Sequence, residues 1–372
     1  NRKSLRENKN KMGFLISVVL LLVGFVFLIK GADIFVDGAS DKARKFRVPK
    51  MLIGLTIVSF GTSAPELAVS IQSILSGKGD ILLGNVVGSN VLNILLILGV
   101  ASLAGALRVN TATVKKEIPV LVLITLAFAT LLSDKVFGLS ENSFTRQDGI
   151  VLLLFFCIFV YYLISMTRKK DNGEKIKEVK AEVKDSKKIV SREINEIKDV
   201  SEKTTKQDEI DETKDGEEKP VSLTKALLMI VIGLIGIVLG SDFVVKGASE
   251  IATTFGVSQR IISLTIVALG TSLPELVTSV IATRKGEYDI AIGNIVGSNI
   301  FNIGIVAGLP VAILGGVGGG AFSYIDIIAF LISAIVLFFF ARHGKRIGYK
   351  KGIVFLLMFV AYYSYVIMGS FV

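Results

Sequence analysis

The chain has 372 residues, of which 51% are hydrophobic, 42 are Lys or Arg, 32 are Asp or Glu and one is Cys. A soluble enzyme of this size carries a more even mixture, so composition argues first for membrane residence. The single cysteine excludes a disulfide framework or a thiolate metal site, and the formal charge of +10 is not a nucleic-acid signal, because the excess sits in short loops between apolar runs.

In chain order, residues 1–11 form a basic extension, with Met12 the expected native start. Met12–Ile29 is an uncharged run of 18 residues. A helix rising ~1.5 Å per residue needs ~20 residues to cross ~30 Å of hydrocarbon. The run is long for a signal peptide, lacks an A-x-A cleavage site and is followed by further spans, so it reads as the first of them. Segments 51–76 and 80–104 are apolar but broken by Gly, Pro, Ser, Thr and Asn. Ile118–Ser133 and Gly149–Met166 are uncharged, and Cys157 in the latter reads as packing. Residues 167–221 hold 15 basic and 16 acidic side chains, the pattern of a solvated linker, with some helix expected around 174–200. Ala226–Gly240, the broken segments 257–283 and 289–314, Ile327–Ala341 and Gly352–Val372 complete ten spans.

Basic residues follow every odd-numbered span: Lys42 to Lys50, Arg108 to Lys116, Arg168 to Lys170, Arg284 and Lys285, and Arg342 to Lys351. The positive-inside rule then places both termini outside the cell and the 167–221 linker in the cytoplasm, in a multi-pass plasma-membrane protein. Only the basic residues before Met12 break the pattern.

A shift of 209 residues aligns 56–95 with 265–304 without a gap, and 21 of 40 positions are identical. The first copy reads Gly-Thr-Ser-Ala-Pro-Glu over 61–66 and Gly-Asn-Val-Val-Gly-Ser-Asn-Val-Leu-Asn over 84–93; the second reads Gly-Thr-Ser-Leu-Pro-Glu over 270–275 and Gly-Asn-Ile-Val-Gly-Ser-Asn-Ile-Phe-Asn over 293–302. Upstream, Gly31, Asp33, Gly38, Ala39 and Ser40 match Gly240, Asp242, Gly247, Ala248 and Ser249. Each copy contains five spans, 12–166 and 222–372. An odd number makes the second copy enter the membrane from the opposite side, the inverted-repeat plan of secondary transporters.

The motif suits a cation. Proline has no amide hydrogen and opens the helix, so Pro65 should free the Gly61 carbonyl and Pro274 the Gly270 carbonyl. Such carbonyls cost several kcal/mol in hydrocarbon unless something satisfies them, and a hard cation can. Thr62, Ser63, Thr271 and Ser272 add hydroxyls within a turn of the carboxylates Glu66 and Glu275. Charges at mid-membrane are functional by default; the plain alternative, a structural ion pair, has no Lys or Arg in either broken segment to supply it. Ser89 with Asn93, and Ser298 with Asn302, lie four apart on one helix face and lean towards ligation. For Asn85, Asn90, Asn294 and Asn299, ligation and helix bridging both stand. Asp80 and Asp289 read as N-caps, Asp33 and Asp242 as interfacial, and Gly84, Gly88, Gly293 and Gly297 as packing positions. His343 reads as a solvated loop residue. Calcium takes ~6–8 oxygen ligands, and the absence of a His or Cys cluster speaks against zinc and copper.

The paired motifs resemble the α-repeats of the calcium/cation antiporter superfamily, nearest its prokaryotic sodium/calcium exchangers, over nearly all the membrane portion. The resemblance implies an all-α membrane fold of ten helices in two inverted five-helix repeats. Spans 2, 3, 7 and 8 would enclose the ions, and spans 1 and 6 would slide across them. It implies that Glu66 and Glu275 bind calcium and share it with sodium, that Thr62, Ser63, Thr271, Ser272, Ser89 and Ser298 complete the sodium sites, and that the Ser59 and Ala268 main-chain carbonyls join them. Asn93 and Asn302 match positions that are Asn or Asp in relatives. Potassium-dependent exchangers carry Asp at the second-repeat position, and Asn302 departs from this.

The expected function is therefore calcium exchange for sodium by alternating access, with both ions as substrates rather than cofactors, in a bilayer and without nucleic acid. One chain supplies both halves of the site, so a monomer is expected to suffice. A proton/calcium exchanger using the same glutamates is the nearest rival. A channel would more usually build its pore from identical subunits, and an intramembrane hydrolase would need a His within a span or paired membrane aspartates.

Overall fold

A computed structural model describes residues 2–45, 48–134, 143–166, 223–256, 266, 268–318 and 324–369, without the side chains of 2–12, 44, 45, 223 and 268. The expected linker lies outside the described residues. By contacts, residues 1–159 with 221–372 form one compact unit; the second unit, 160–220, is described only at 160–166, the end of a helix.

The described residues are helical almost throughout. Helix α1 is Arg2–Lys45. A bent pair follows, α2 (Lys50–Thr62) and α3 (Ala64–Leu75), then α4 (Gly79–Ala104). Next come α5 (Thr111–Lys115), α6 (Glu117–Leu131) and α7 (Arg146–Met166). The second half holds α8 (Leu223–Thr254), α9 (Ala268–Thr271), α10 (Leu273–Arg284), α11 (Tyr288–Leu314), α12 (Tyr324–Arg342) and α13 (Tyr349–Gly369). Among the described residues, seven helices are long and apolar enough to cross a membrane, and the bent α2–α3 pair makes eight. The span expected at 118–133 is a helix of 15 residues, rising only ~22 Å. That expected at 257–283 lies partly outside the described residues.

Burial follows the pattern of a protein solvated by lipid. Helices α4 and α11 are largely enclosed, whereas α1, α7, α8, α12 and α13 turn large apolar side chains outward. Leu22, Val26, Ile158 and Leu357 are each more than half exposed. Water would penalise such a surface, and hydrocarbon does not. Cys157, expected to pack, is exposed on this outer face.

Two short antiparallel ladders tie the halves together. Strand β1 (Leu107–Arg108), after α4, pairs with β4 (Arg346–Ile347), between α12 and α13. Strand β2 (Ser143–Phe144), between α6 and α7, pairs with β3 (Val317–Gly318), after α11. Each ladder thus joins the loop after the central helix of one half to the last hairpin of the other. Phe128, Phe144 and Phe330 pack edge-on beneath the second, with ring centroids 5.5 and 5.9 Å apart. Lys351 donates to the carbonyls of Phe340, His343 and Arg346, closing the C-terminal end of α12. His343 is exposed, as expected. Asp80 and Asp289 are not the N-caps they were expected to be: Lys78 and Glu287 precede their helices, and the aspartates sit in the first turn, where the helix dipole favours negative charge.

The most intimate contact is the antiparallel crossing of α1 and α8. Gly24, Gly31 and Gly38 recur every seven residues, as do Gly233, Gly240 and Gly247, so each set lines one face of its helix. A methyl group at Gly31 would meet the Ile237 nitrogen at 2.7 Å, and one at Gly240 would meet the Leu28 nitrogen at 2.6 Å. Backbone therefore lies against backbone, and only glycine fits. Gly293 and Gly297 allow the same approach of α11 to α2, with added methyls 2.8 Å from Met51 O and 2.8 Å from the Leu55 Cα. The corresponding neighbours of Gly84 and Gly88 would fall in 257–265, outside the described residues. Gly31→Val or Gly240→Val should cost about 1–3 kcal/mol through forced separation of the helices, read as a lowered Tm in detergent. Gly13→Ala, where a methyl group meets nothing within 4 Å, should leave Tm unchanged or raise it.

Candidate ion-binding site

The site forms where two helices break. Helix α2 ends at Thr62, Ser63 leaves the helical conformation with φ −87° and ψ 8°, and α3 restarts at Ala64 with Pro65 in its first turn. The axes differ by 45°. Helix α10 starts the same way, with Ser272 at φ −90° and ψ 2° and Pro274 in the first turn. Proline costs nothing at these positions because the first amides of a helix lack intrahelical acceptors anyway. Glu66 and Glu275 each occupy the third residue of the new helix, where the N-terminal partial positive charge favours a carboxylate.

Both carboxylates are buried, Glu66 to 1% and Glu275 to 0% exposure, and each lies within electrostatic range of the other. Among the described residues neither is in an ion pair with Lys or Arg. Each half serves the acid of the other. Ser63 donates to Glu275 Oε1 at 2.9 Å, and Thr62 donates to Asn294 Oδ1 at 3.0 Å. Thr271 and Ser272 face Glu66, although the Ser272 hydroxyl reaches no acceptor. Asn302 Nδ2 donates to Ser89 Oγ across the halves at 3.0 Å, and Ser298 lies 3.5 Å from both Glu275 Oε1 and Thr62 Oγ1.

Of the residues expected at the site, Thr62, Ser63, Ser89, Asn93, Ser272, Ser298 and Asn302 are all buried, and Thr271 is partly so. The Ser59 carbonyl accepts the Ser63 amide at 3.0 Å, and Ala268 is described in backbone only, at the start of α9. The Gly270 carbonyl freed by Pro274 accepts the Ser241 hydroxyl at 2.6 Å, so a protein donor takes the role expected of a cation there. Asn85 and Asn294 act alike: each amide donates to the main-chain carbonyl of its own half's glutamate, at 3.1 and 3.4 Å, and to the serine one turn on, Ser70 or Ser279, at 3.2 and 3.0 Å. Asn90 and Asn299 donate to the carbonyl four residues back, at 2.7 and 3.0 Å. All four brace the helices.

The remaining buried oxygens are informative. Both oxygens of Glu66, Oε2 of Glu275, and the Oδ1 atoms of Asn90, Asn93, Asn299 and Asn302 have no hydrogen-bond partner among the described residues. A buried polar atom left unpaired costs about 1–3 kcal/mol, and more for a charged one, so these oxygens are the candidates to take a positive ion. Asn93 and Asn302 also open the π-helical turns Asn93–Ile97 and Asn302–Ala307, which re-aim the backbone beside the acids. Two carboxylates with neutral oxygens, and no cluster of three or more His, Cys, Asp or Glu among the described residues, suit a hard cation rather than a transition metal.

Four contributors, Ser241 among them, were not expected from the sequence. Ser70 and Ser279 were visible as identities between the repeats, four residues after each glutamate. Thr278, buried one turn after Glu275 with its hydroxyl unpaired, had no such signal, because its counterpart is Val69.

Comparisons with known proteins agree with this geometry. The family described as sodium/calcium exchanger protein matches residues 16–165 and 225–368. The protein CaxA of Alkalimonas amylolytica is 35% identical over 360 residues, 96% of this chain and 100% of that one. The sodium/calcium exchanger MaX1 of Methanosarcina acetivorans is 32% identical over 370 residues, covering 93% of this chain and 97% of that one. Among solved structures, the sodium-calcium exchanger NCX_Mj soaked with sodium and strontium matches with a TM-score of 0.71 and 27% identity, over 93% of this chain and 97% of that one. With its broken helices, its paired buried acids and these matches along nearly its whole length, the chain is a multi-pass membrane protein that belongs to the sodium/calcium exchanger family.

Proposed function

We propose that the chain is an antiporter that moves calcium across the plasma membrane in exchange for sodium by alternating access. The observation that carries the reading is the pair of buried carboxylates, Glu66 and Glu275, with open oxygens and, among the described residues, no basic partner. Calcium would neutralise the pair with its two charges. Thr62, Ser63, Thr271, Ser272, Ser89, Ser298, Asn93, Asn302 and the Ser59 and Ala268 carbonyls would supply neutral oxygens for it and for the sodium ions that replace it. Several sodium ions in place of one calcium carry surplus positive charge, which makes turnover sensitive to voltage at ~2.3 kcal/mol per charge per 100 mV. The exchanger names of MaX1 and NCX_Mj support both ions.

The topology that goes with this reading is ten spans in two inverted repeats, 12–166 and 222–372, with termini outside and 167–221 in the cytoplasm. The reciprocal ladders and the crossed hydrogen bonds Ser63–Glu275 and Asn302–Ser89 support an exchange of parts between equivalent halves. Calcium coordination by Asn302 rather than a third carboxylate fits a site that has no need of potassium.

In proteoliposomes an imposed sodium gradient should drive uptake of radiolabelled calcium, potassium replacement should leave the flux unchanged, and a pH gradient in sodium-free buffer should drive none. Calcium flux under the last condition would make the protein a proton/calcium exchanger. Glu66→Gln and Glu275→Gln should each reduce transport about tenfold or more, the equivalent of about 1.4 kcal/mol. In buffer stripped of cations, the same substitutions should raise Tm, because each removes one of two unneutralised like charges from a dry site. A lowered Tm together with normal transport would make the acids structural.

A further inference from the structure

The two halves agree at the ion site and disagree at the turn that follows it. Between α10 and α11, Lys285 binds Asp33 and Asp37 of α1, each at 2.7 Å, and donates to the Asp33 carbonyl at 2.9 Å. Two residues on, Glu287 is 12% exposed; it binds Lys50 at the start of α2 at 2.6 Å and accepts the Ser40 hydroxyl of α1 at 2.9 Å. Five groups on α1 and α2 thus grip one turn.

The shift of 209 residues predicts a matching grip of α8 on the turn between α3 and α4, and the residues there forbid it. Lys285 is replaced by Ser76, Glu287 by Lys78, and Asp37 by Lys246. Asp242, the counterpart of Asp33, pairs along its own helix with Lys246 at 2.7 Å. Ser249, the counterpart of Ser40, is left with its hydroxyl unbonded. Ser76 and Lys78 are exposed, Lys78 forms no ion pair among the described residues, and Leu75 beside them is 64% exposed. Helix α1 packs along α10, whereas α8 makes no comparable contact with α3 among the described residues. One turn is gripped by charge and its counterpart is not.

We propose that Lys285 and Glu287 are positioning residues for the exchange, holding α1 on the turn between α10 and α11 and so weighting the protein towards the conformation closed at that face. The proposal rests on the alternating-access reading above. The bias is modest by construction: a partly exposed pair shifts an equilibrium by only about two- to fivefold, so it sets a resting state without trapping the cycle. The opposite conformation, in which α8 would close on α3, has no charge pair of its own at the matched positions.

Hydrogen–deuterium exchange of the full chain in lipid nanodiscs, without an ion gradient, tests this independently of the coupling ion. Glu287→Lys, which sets like charges at Lys50, and the milder Lys285→Ser, which installs the residue of the other half, should raise amide exchange over 280–290 about two- to fivefold. Both should lower it over 72–80 as that face closes. The double variant K50E/E287K, which restores the pair with its signs reversed, should return both segments to wild-type values. Unchanged exchange at 72–80 in Lys285→Ser, or a folded K50E/E287K that stays as open as Glu287→Lys, overturns the proposal. A wild type that exchanges as expected but carries no sodium-driven calcium overturns the antiport reading instead and leaves the grip standing.

Discussion

Two acids of like charge, enclosed in a medium that cannot screen them, form the constraint around which the molecule is organised. Alone, a carboxylate at that depth would be expelled or neutralised. Here each is placed at the positive end of a fresh helix, and the hydroxyls of one half are turned towards the acid of the other. These dipoles reduce the cost without cancelling it, since Glu66 still has both oxygens unpaired. On the proposed reading, the residual imbalance is what a passing cation would relieve, and it would supply the affinity. A site fully satisfied by its own protein would be stable and inert.

The breaks that create those helix ends are cheap because proline is used where its missing amide is not needed. Pro65 and Pro274 begin helices rather than interrupting them. The π turns opening at Asn93 and Asn302 do similar work on the neighbouring helices, pressing an extra residue into the turn nearest the acids. Irregular backbone is tolerated at membrane depth only where protein encloses it, and α4 and α11 are the most enclosed of the spanning helices. Helices such as α7 and α13, whose task is to face lipid, remain regular.

Much of this was legible in the sequence. The repeat pointed to the helix breaks at Pro65 and Pro274, the two buried glutamates and most of the buried polar residues, because the same motif is written twice. What repetition conceals is the places where the copies part. Ser241 takes the Gly270 carbonyl, yet its counterpart is Ala32, so no identity advertised it. Thr278 answers to Val69 and Lys285 to Ser76. Expected N-caps at Asp80 and Asp289 failed by two residues, because an acid in the first turn and an acid at the cap follow from the same electrostatics. Helix α6 is 15 residues long, short for a span, because an uncharged run fixes polarity and leaves the end of the helix undecided. The glycines at 24 and 233 lay outside the strongest block of identity, and only the crossing of α1 and α8 gives them meaning.

That crossing has a mechanical consequence. Where the glycines bring the two backbones together there is little soft material in the seam to absorb a displacement, so on the alternating-access reading α1 and α8 would travel as a single beam. Pushing one end down onto its turn would then lift the other from its own. A gate at each surface, worked by separate levers, could stand open at both surfaces together and let ions run down their gradients; a shared rigid bar would disfavour that arrangement, and the close approach that six glycines allow would then serve tight coupling.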